Sequence, residues 1–294
     1  MLVNFMKQRH RYEYKLDING PSAPAAVVRM VGKDKRVLEI GAGPGSITRV
    51  LKDYSGCHVT AIELDEEAIK KLSPYCEHVY RCDLNDQTWP SVLSQNGKFE
   101  VVVAADVLEH LFDPSATLSA VKRVLDSDSE VVVSLPHIGH SAAMACLLRE
   151  DLEYQDWGLL DKTHIHFFDI ENVQRLFNDT GFKIIEAEFV VLPPEQTELA
   201  YFWRRIPAEL KERLTKNRFG MVYQIVVKAI MDLSQEQGVQ LSSLPVSLPE
   251  SVVISNNVNL STVVRSIKKN ILPYLHPRTR SRLRNILYRV GLRF

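Results

Sequence analysis

The chain has 294 residues, of which 45% are hydrophobic and 24% are charged, and these values are ordinary for a globular protein. Length and composition therefore exclude a disordered, fibrous or collagen-like chain. The 36 basic and 36 acidic residues give a net charge of zero, but residues 265–294 carry nine Lys and Arg and no acid. The first 264 residues therefore have a net negative charge, which opposes binding to nucleic acid.

Cysteine usage and hydropathy predict the compartment. The four cysteines show no paired metal spacing, and four in a chain of this length do not predict a disulfide framework. The N-terminal stretch MLVNFMKQRHRYEY lacks the apolar core of a signal peptide, and no apolar run approaches the ~20 residues of a membrane span. We expect a cytoplasmic protein, which its basic tail could hold at the inner face of the membrane.

Strand-like and helix-like segments alternate from residue 36 to about residue 190. The runs typical of strands are RVLEIGA, HVTAIEL, HVYRCDL, FEVVVAADVL, EVVVSLPH and KIIEAEFVVL. FEVVVAADVL is almost wholly apolar, as expected for a central strand that is buried on both faces. The alternation predicts an α/β fold, doubly wound, with an open and mostly parallel sheet and helices on both faces.

The last hundred residues predict a different organisation. Ala200 to Leu214 is typical of one helix, and the β-branched run from Met221 to Ile230 predicts an edge strand that completes the sheet. Residues 232–262 are rich in Ser, Gln, Pro and Asn and predict a linker. We therefore expect a domain over residues 1–231, this linker, and a basic amphipathic extension over residues 263–294.

The glycine turn after the first strand predicts a ligand site. In EIGAGPG, the glycines follow the pattern G-x-G-x-G between strand and helix, where backbone can approach a ligand closely. A dinucleotide fingerprint needs G-x-G-x-x-G, and Glu39 before the turn would repel a pyrophosphate. An anion at this position favours an adenosine that carries a cation.

VLEIGAGPG resembles the first motif of the class I S-adenosylmethionine-dependent methyltransferases. The resemblance implies a Rossmann-like sheet of seven strands, S-adenosylmethionine as cofactor and S-adenosylhomocysteine as product. It places Glu63 on the ribose hydroxyls, Asp83 on the adenine amine, and Asp106 near the methionine part. The expected cofactor-binding residues are Glu39, Gly41, Gly43, Gly45, Glu63, Leu64, Asp83, Leu84, Ala105, Asp106 and His110.

Some of these residues admit simpler explanations. Glu63 alone could be a solvated acid at a strand end, Asp83 a turn residue, and His110 a cap of the fourth strand. The glycine turn, Glu63 and Asp83 follow successive strands in this order, which favours a cofactor site over the simpler explanations.

Further motifs indicate the acceptor. DVLEHLFDP is similar to the fourth-strand signature of the ubiquinone-biosynthesis-like branch. SLPHIGH and LEYQDWGLLDKTHIHFFD resemble methyltransferases found with glycosyltransferases in surface-polysaccharide pathways, which read S-[IL]-P-N-[VI]-x-H and Y-x-x-x-G-[IL]-L-D-x-T-H-[LI]-x-F-F. The likeness covers residues 12–230, and His137 departs from it where the pattern has asparagine. It implies a sugar or glycan acceptor, which could be lipid-linked.

Residues 136–168, here called the cover segment, should fold over the carboxyl end of the sheet. Methyl transfer to a hydroxyl needs a dry, aligned pocket and a base, and histidine suits the base. Our candidates for the base are His140, His164 and His137. Each could instead be a structural hydrogen-bonding group, and His164 and His166 alternate along an apparent strand, so that one of them should face away.

Other polar and aromatic residues of the cover segment could hold the acceptor. Asp161 could orient a histidine, hold a sugar hydroxyl, or merely cap a turn. The expected substrate-binding residues are Tyr154, Trp157, Thr163 and His166. Tyr154 and Trp157 could stack on a sugar face or pack in the core.

A metal ion is the rival use of His-x-His with a nearby aspartate, but the spacing is not specific. We therefore expect no metal, and activity that survives a chelator would confirm this. Nucleic-acid methylation is not expected either, because DVLEH replaces the Asn/Asp-Pro-Pro-aromatic tetrad that holds a flipped base.

The sequence predicts O-methylation of a sugar or glycan intermediate. Methylation of a small lipophilic phenol or quinone precursor, and a non-catalytic cofactor-binding scaffold, are the alternatives. The basic extension could lie on an anionic membrane, dock on the acidic body or a partner subunit, or bind RNA.

Overall fold

The computed structural model describes residues 13–232 and 238–247. The strands are β1 (Arg36–Ile40), β2 (His58–Glu63), β3 (His78–Arg81), β4 (Phe99–Ala105), β5 (Leu125–Pro136), β6 (Phe182–Val191) and β7 (Val222–Met231). The helices are α1 (Ala23–Val31), α2 (Ser46–Asp53), α3 (Glu66–Leu72), α4 (Pro114–Val121), α5 (Ser141–Leu148), α6 (Ile170–Asp179), α7 (Ala200–Arg205) and α8 (Ala208–Thr215).

The seven strands form one sheet in the order β3-β2-β1-β4-β5-β7-β6. β1 to β5 pair in parallel, whereas β7 is antiparallel to both β5 and β6. The predicted α/β, Rossmann-like sheet is thus confirmed. The strand order reverses between β1 and β4, and ligands of such sheets bind outside the carboxyl ends of the strands at that point.

Alternate residues of each central strand enter different cores. Leu38 and Val102 belong to the cluster on one face of the sheet, whereas Val37, Val101 and Val103 belong to the cluster on the other face. All five side chains are fully buried. Because a strand points successive side chains to opposite faces, a continuous apolar run is the sequence of a strand covered on both sides.

The prediction that residues 221–230 form the edge strand is wrong. β7 lies between β5 and β6, and Ile225, Val226, Val227 and Ala229 are at most 1% exposed. The apolar run is therefore explained by burial on two faces, which an edge strand does not need.

Two further expectations about the C-terminal part are corrected. Ala200 to Leu214 is two helices, because Pro207 lacks the backbone N–H that a continuous helix needs and starts α8 instead. Within the expected linker, residues 238–247 pack on the body: Leu241 is fully buried and its N–H donates to Gln174 Oε1 over 2.9 Å.

The remainder of the expected linker and the basic extension lie outside the described residues. The compact unit that contains the described residues ends at Ser247. None of the helices within residues 13–232 and 238–247 has the length and apolar character needed to cross a membrane.

The cover segment leaves β5 at its carboxyl end and returns to the sheet at α6. It begins with α5, which was not expected, and then runs through turns to Asp169, which caps α6 through a capping box with Asn172. Its two ends are joined, since the Ile138 N–H donates to the Phe168 carbonyl over 2.9 Å. The apparent strand around His164 is irregular backbone, so strand alternation does not decide where its side chains point.

Candidate active site

The glycine turn joins β1 to α2 in a conformation that favours glycine. Gly41, Gly43 and Gly45 have φ angles of 65°, 56° and 87°, which side chains other than glycine rarely adopt. A Cβ at Gly41 would lie 2.7 Å from Val107 Cγ2. The Gly41 N–H donates to the Ile62 carbonyl over 2.8 Å, which ties the turn to the end of β2.

Glu39 lies beneath this turn as a buried acid. Its side chain is 3% exposed, and Oε2 accepts a 2.6 Å hydrogen bond from Thr48 Oγ1. Burial is the main cause that raises the pKa of Glu39 to about 7, the Thr48 bond opposes this, and the nearby Glu63 adds to it. A bound cation would offset the cost of its ionised form, whereas a phosphate would increase it.

Glu63 links the ends of β1 and β2. Its Oε2 accepts a hydrogen bond from the Gly43 N–H over 2.7 Å, and its Oε1 accepts from the N–H groups of Leu64 and Asp65. The carboxylate therefore shapes the glycine turn directly. Its expected contact with the ribose stays a prediction.

Asp83 and Leu84 follow β3 at the same edge. Asp83 Oδ1 accepts from the backbone N–H and the side-chain amide of Asn85. Asp83 is therefore a turn residue, which was the simpler explanation for it. Leu84 is 7% exposed and its carbonyl accepts from Thr117 Oγ1. The adenine contact expected of Asp83 stays a prediction.

Asp106 follows Ala105 at the end of β4 and is held in a strained conformation. Its φ of 52° is rare for a residue with a side chain. The carboxylate accepts from Ser134 Oγ over 2.8 Å and from Gln224 Nε2 over 2.8 Å and 3.0 Å. Burial raises its pKa, and these two bonds oppose that rise. A carboxylate that several hydrogen bonds hold in a strained backbone conformation at this strand end is consistent with a ligand-binding role.

Sequence reasoning missed three residues of the cofactor side. Ser134 and Gln224 fix Asp106, and the signal for Gln224 is the one amide side chain in the mostly apolar β7. Tyr14 was missed because it lies in a charged stretch without periodicity. Its N–H donates to Ser46 Oγ over 3.0 Å, and burial together with nearby Asp106 and Glu39 raises the pKa of its phenol. Tyr14 thus lies over the edge that joins β1 and β4.

A second polar cluster lies where the cover segment meets the turn after β4, and Glu109 at its centre was not a candidate. Glu109 is fully buried, and His164 Nε2 lies 3.9 Å from its Oε1. The rings of His110 and His164 meet edge to face with centroids 4.8 Å apart. His110 Nδ1 donates to the Thr163 carbonyl over 3.2 Å. His110 therefore contacts the cover segment and is more than a cap of the fourth strand.

Asp161 closes a turn of the cover segment next to this cluster. The side chain is 3% exposed, and Oδ1 accepts from the N–H of Thr163 over 2.8 Å and from its Oγ1 over 2.7 Å. Of the alternatives for Asp161, the turn-capping role is the one the structure contains. It also holds Thr163 in place beside His110.

The structure gives two candidates for the base a structural hydrogen-bonding role, and their use as a base stays a prediction. His140 is fully buried, its Nδ1 accepts from the Ala142 N–H at the start of α5, and its Nε2 donates to the Leu192 carbonyl over 2.8 Å. His137 Nδ1 donates to the Val222 carbonyl over 3.0 Å. Burial lowers the pKa of both rings, that of His140 to about 4. These hydrogen bonds make both histidines structural anchors of the cover segment.

The remaining acceptor candidates lie on the outside of the cover segment. His166 Nε2 donates to the Phe112 carbonyl over 3.3 Å, whereas the ring of His164 lies against that of His110. Tyr154 and Trp157 are 56% and 52% exposed, which excludes core packing for either ring. Their contact with an acceptor stays a prediction.

Within residues 13–232 and 238–247, no group of three potential ligand residues contains both His164 and His166, so the His-x-His metal site is not assembled there. One set of residues in the described part of the chain could hold an ion: the potential ligand atoms of Glu109, His110 and His164 lie within 4.8 Å of one another. The expectation that no metal is needed therefore remains open to the chelator test.

The donor set at the glycine turn fits the cofactor expected from the sequence. Glu39, Glu63 and Asp106 surround it with carboxyl groups, of which Glu39 is buried and Asp106 is half-buried, an arrangement that suits a sulfonium and an ammonium group. It does not suit the pyrophosphate of a dinucleotide.

Comparison with known proteins agrees with this chemistry. A family model described as a methyltransferase domain matches residues 9–187. A glycine/sarcosine/dimethylglycine N-methyltransferase of Actinopolyspora halophila is 31% identical over 40% of the chain and 22% of its own length. A ubiquinone biosynthesis O-methyltransferase of Aromatoleum aromaticum is 31% identical over 34% of the chain and 43% of its own length. The alignments thus span less than half of either relative.

A solved structure supports the fold. Magnesium protoporphyrin IX methyltransferase from Synechocystis PCC 6803, with SAH bound, superposes over 78% of the chain and 95% of its own length with a TM-score of 0.52 and 12% identity. The matched family model covers more than half of the chain, and the glycine turn, strand order and carboxyl-rich strand ends agree with it. The chain therefore belongs to the methyltransferase domain family.

Proposed function

We propose that this member of the methyltransferase domain family transfers the methyl group of S-adenosylmethionine to a hydroxyl group of a sugar or glycan intermediate. The observation that carries the proposal is the cluster of Glu109, His110 and His164, where groups able to take a proton meet at the carboxyl end of the sheet. A hydroxyl nucleophile must lose its proton during methyl transfer, so a proton-accepting cluster beside Asp106 favours an oxygen acceptor. The sequence motifs of the cover segment, which resemble polysaccharide-pathway methyltransferases, support a sugar.

His164 is the base in this proposal. Its side chain is 6% exposed, and burial, then the nearby His110, lower its pKa to about 4. The imidazole is therefore neutral at physiological pH and able to accept a proton. When bound, S-adenosylmethionine supplies an electrophilic methyl group on its sulfonium. The buried cluster excludes water and the cover segment places the acceptor.

Tyr154 and Trp157 are the proposed sugar contacts. Both rings are about half exposed on the cover segment and present apolar faces beside polar tips, as residues that meet a partly polar ligand do. Asp156 and Glu153 flank them in the chain and supply acceptors for sugar hydroxyls.

A small lipophilic phenol is the second candidate acceptor. Phe112, Ile165 and Phe167 are exposed apolar residues on either side of the His166–Phe112 hydrogen bond, and they could hold a hydrocarbon chain. The resemblance to ubiquinone biosynthesis O-methyltransferases favours the same acceptor class. The similarity to a sarcosine N-methyltransferase adds an amine as the third class to test.

Incubation with methyl-labelled S-adenosylmethionine and fractionated cell extract tests the acceptor class. We expect label in a saccharide or glycolipid fraction, released by acid hydrolysis as a methyl ether of a sugar. Label in a quinone-precursor or amine fraction would overturn the glycan proposal and support the corresponding alternative. Binding of S-adenosylmethionine with no label in any fraction would support the non-catalytic scaffold.

The basic extension gives a separate prediction, made from sequence alone because it lies outside the described residues. We expect residues 263–294 to bring the enzyme to anionic lipid, since each basic residue near such a surface contributes about 1 kcal/mol. Flotation with phosphatidylglycerol vesicles at low and high salt measures this, with Arg280, Arg282 and Arg284 replaced by glutamine as the matched control. No flotation at low salt would leave docking on the body or on a partner subunit. Salt-insensitive flotation would show that lipid binding does not depend on the basic residues.

A further inference from the structure

Glu109 is the buried acid of the cluster that it forms with His110 and His164. Both carboxyl oxygens lie out of contact with water, and neither has a hydrogen-bond partner within the described part of the chain. An ionised carboxylate in such a place is very unfavourable unless a positive charge compensates it. Glu109 is therefore neutral unless a positive charge lies beside it.

His164 is the group placed to become that cation. Its Nε2 lies 3.9 Å from Glu109 Oε1, too far for a hydrogen bond but close enough for strong charge interaction in a buried site. Its Nδ1 is also buried and without a hydrogen-bond partner in the described residues. Both Glu109 oxygens and His164 Nδ1 thus have hydrogen-bonding capacity that no described residue satisfies.

The backbone holds the two residues together. The Glu109 carbonyl accepts hydrogen bonds from the N–H groups of Ile165 and His166 over 2.9 Å and 3.1 Å. The cover segment is therefore fixed to the turn after β4 at the residue that carries the buried acid. The backbone next to His164 cannot move away from Glu109 without the loss of these two bonds.

We propose that Glu109 and His164 form a buried proton-accepting pair, in which the Glu109 carboxylate compensates the imidazolium that forms when His164 takes the acceptor's proton. The proposal rests on O-methylation as the proposed function. As the acceptor oxygen bonds to the methyl carbon, the carbon–sulfur bond breaks with its electron pair on sulfur, and the O–H proton passes to His164. The positive charge leaves the sulfonium and reappears beside Glu109, which acts as a positioning residue.

The groups around the pair set its pH dependence. Asp106 at the end of β4 and Asp161 in the cover segment face Glu109, and burial followed by Asp106 raises the pKa of Glu109 well above its usual range. His110 faces His164 from the 3₁₀ turn Leu108–His110, and Asp161 faces it from the cover segment. The pair is ready to accept a proton only above the raised pKa of Glu109, so the rate should rise with pH through that value.

Glu109→Gln is the test, because glutamine keeps the shape and removes the charge. We expect the acid limb of the pH–rate profile to move to lower pH, toward the pKa of an isolated buried His164, and the plateau to fall by about 10- to 100-fold. Glu109→Asp keeps the charge and should retain the high-pH limb. A purely structural role for Glu109 would lower the rate of both variants without any change in the limb.

An acceptor-independent measurement keeps the proposal testable if no acceptor is found. In protein with labelled histidine, the His164 resonance, assigned by its loss in His164→Asn, should show a titration step at high pH in the wild type and in Glu109→Asp but not in Glu109→Gln. The His166 and His58 resonances report whether each variant is folded.

The outcomes separate the two proposals. Identical His164 titration in the wild type and in Glu109→Gln would overturn the pair, even if label enters a saccharide. A coupled titration together with label only in an amine would overturn the proposed function and leave the pair. Equimolar Mn²⁺ that broadens the His110 and His164 resonances in the wild type but not in Glu109→Gln would also overturn the pair, because the partner of the carboxylate would then be a metal ion.

Discussion

Replacing His164 by asparagine is expected to lower kcat for methyl transfer by about 100- to 10,000-fold, the usual contribution of a general base. The change leaves the glycine turn and the acids of the cofactor side intact, so affinity for S-adenosylmethionine should stay within about twofold. Steady-state kinetics with the acceptor identified by labelling measures the first quantity, and calorimetry with S-adenosylhomocysteine measures the second. A kcat near that of the wild type at saturating cofactor would remove His164 as the base.

His140→Asn is the matched control, because it changes a buried histidine of the same cover segment. Asparagine can still cap α5, but it loses the hydrogen bond to the Leu192 carbonyl. We expect a cost of about 1 kcal/mol in unfolding free energy and kcat within about threefold of the wild type.

The pH dependence of stability gives a second readout for His140. Burial lowers the pKa of His140 in the folded protein to about 4, below the ordinary value of 6.5. Its contribution to stability is therefore present above pH 6.5 and is lost as pH falls toward 4. The His140→Asn protein should lack this component of acid destabilisation, measured by denaturant unfolding at several pH values.

The cofactor side was largely predictable from the sequence. In a parallel sheet, the strand ends lie at one edge, so acids that follow successive strands must come close to one another. Glu39 beneath the glycine turn and Glu63 at the end of β2 needed only the correct assignment of the strands. Tyr14 and Gln224 could not be found in this way, because they reach the site from the N-terminal segment and from an antiparallel strand.

The acceptor side was less predictable, because it is built from irregular backbone. The alternation of His164 and His166 suggested a strand, and the observed turns give no periodic rule for side-chain direction. His140 resembled a candidate base because of its position after β5, yet its hydrogen bond to Leu192 depends on a contact 52 residues away in the chain. Glu109 was overlooked because a charged residue after a strand is ordinarily exposed, and its complete burial is visible only in the structure.

Replacing Glu63 by glutamine is expected to weaken binding of S-adenosylmethionine by about 10- to 150-fold. Hydrogen bonds to a charged group contribute about 1.5–3 kcal/mol, and the carboxylate accepts three backbone N–H groups besides its predicted ribose contact. A glutamine amide can satisfy only part of that set, since its NH₂ group opposes one of the N–H donors. The Gly43 N–H would lose its acceptor, and the glycine turn would lose its link to β2.

Glu66→Gln controls for the loss of a negative charge near the same strand end. Glu66 forms an exposed ion pair with Arg81, and exposed ion pairs contribute little to stability. Calorimetry with S-adenosylhomocysteine should therefore give wild-type affinity for Glu66→Gln and a strongly reduced affinity for Glu63→Gln. Equal affinities in the two variants would show that Glu63 only completes the turn. Binding of NADH in place of the nucleoside would contradict the argument that the carboxyl groups around the glycine turn select a cation, since those same groups would then face a pyrophosphate.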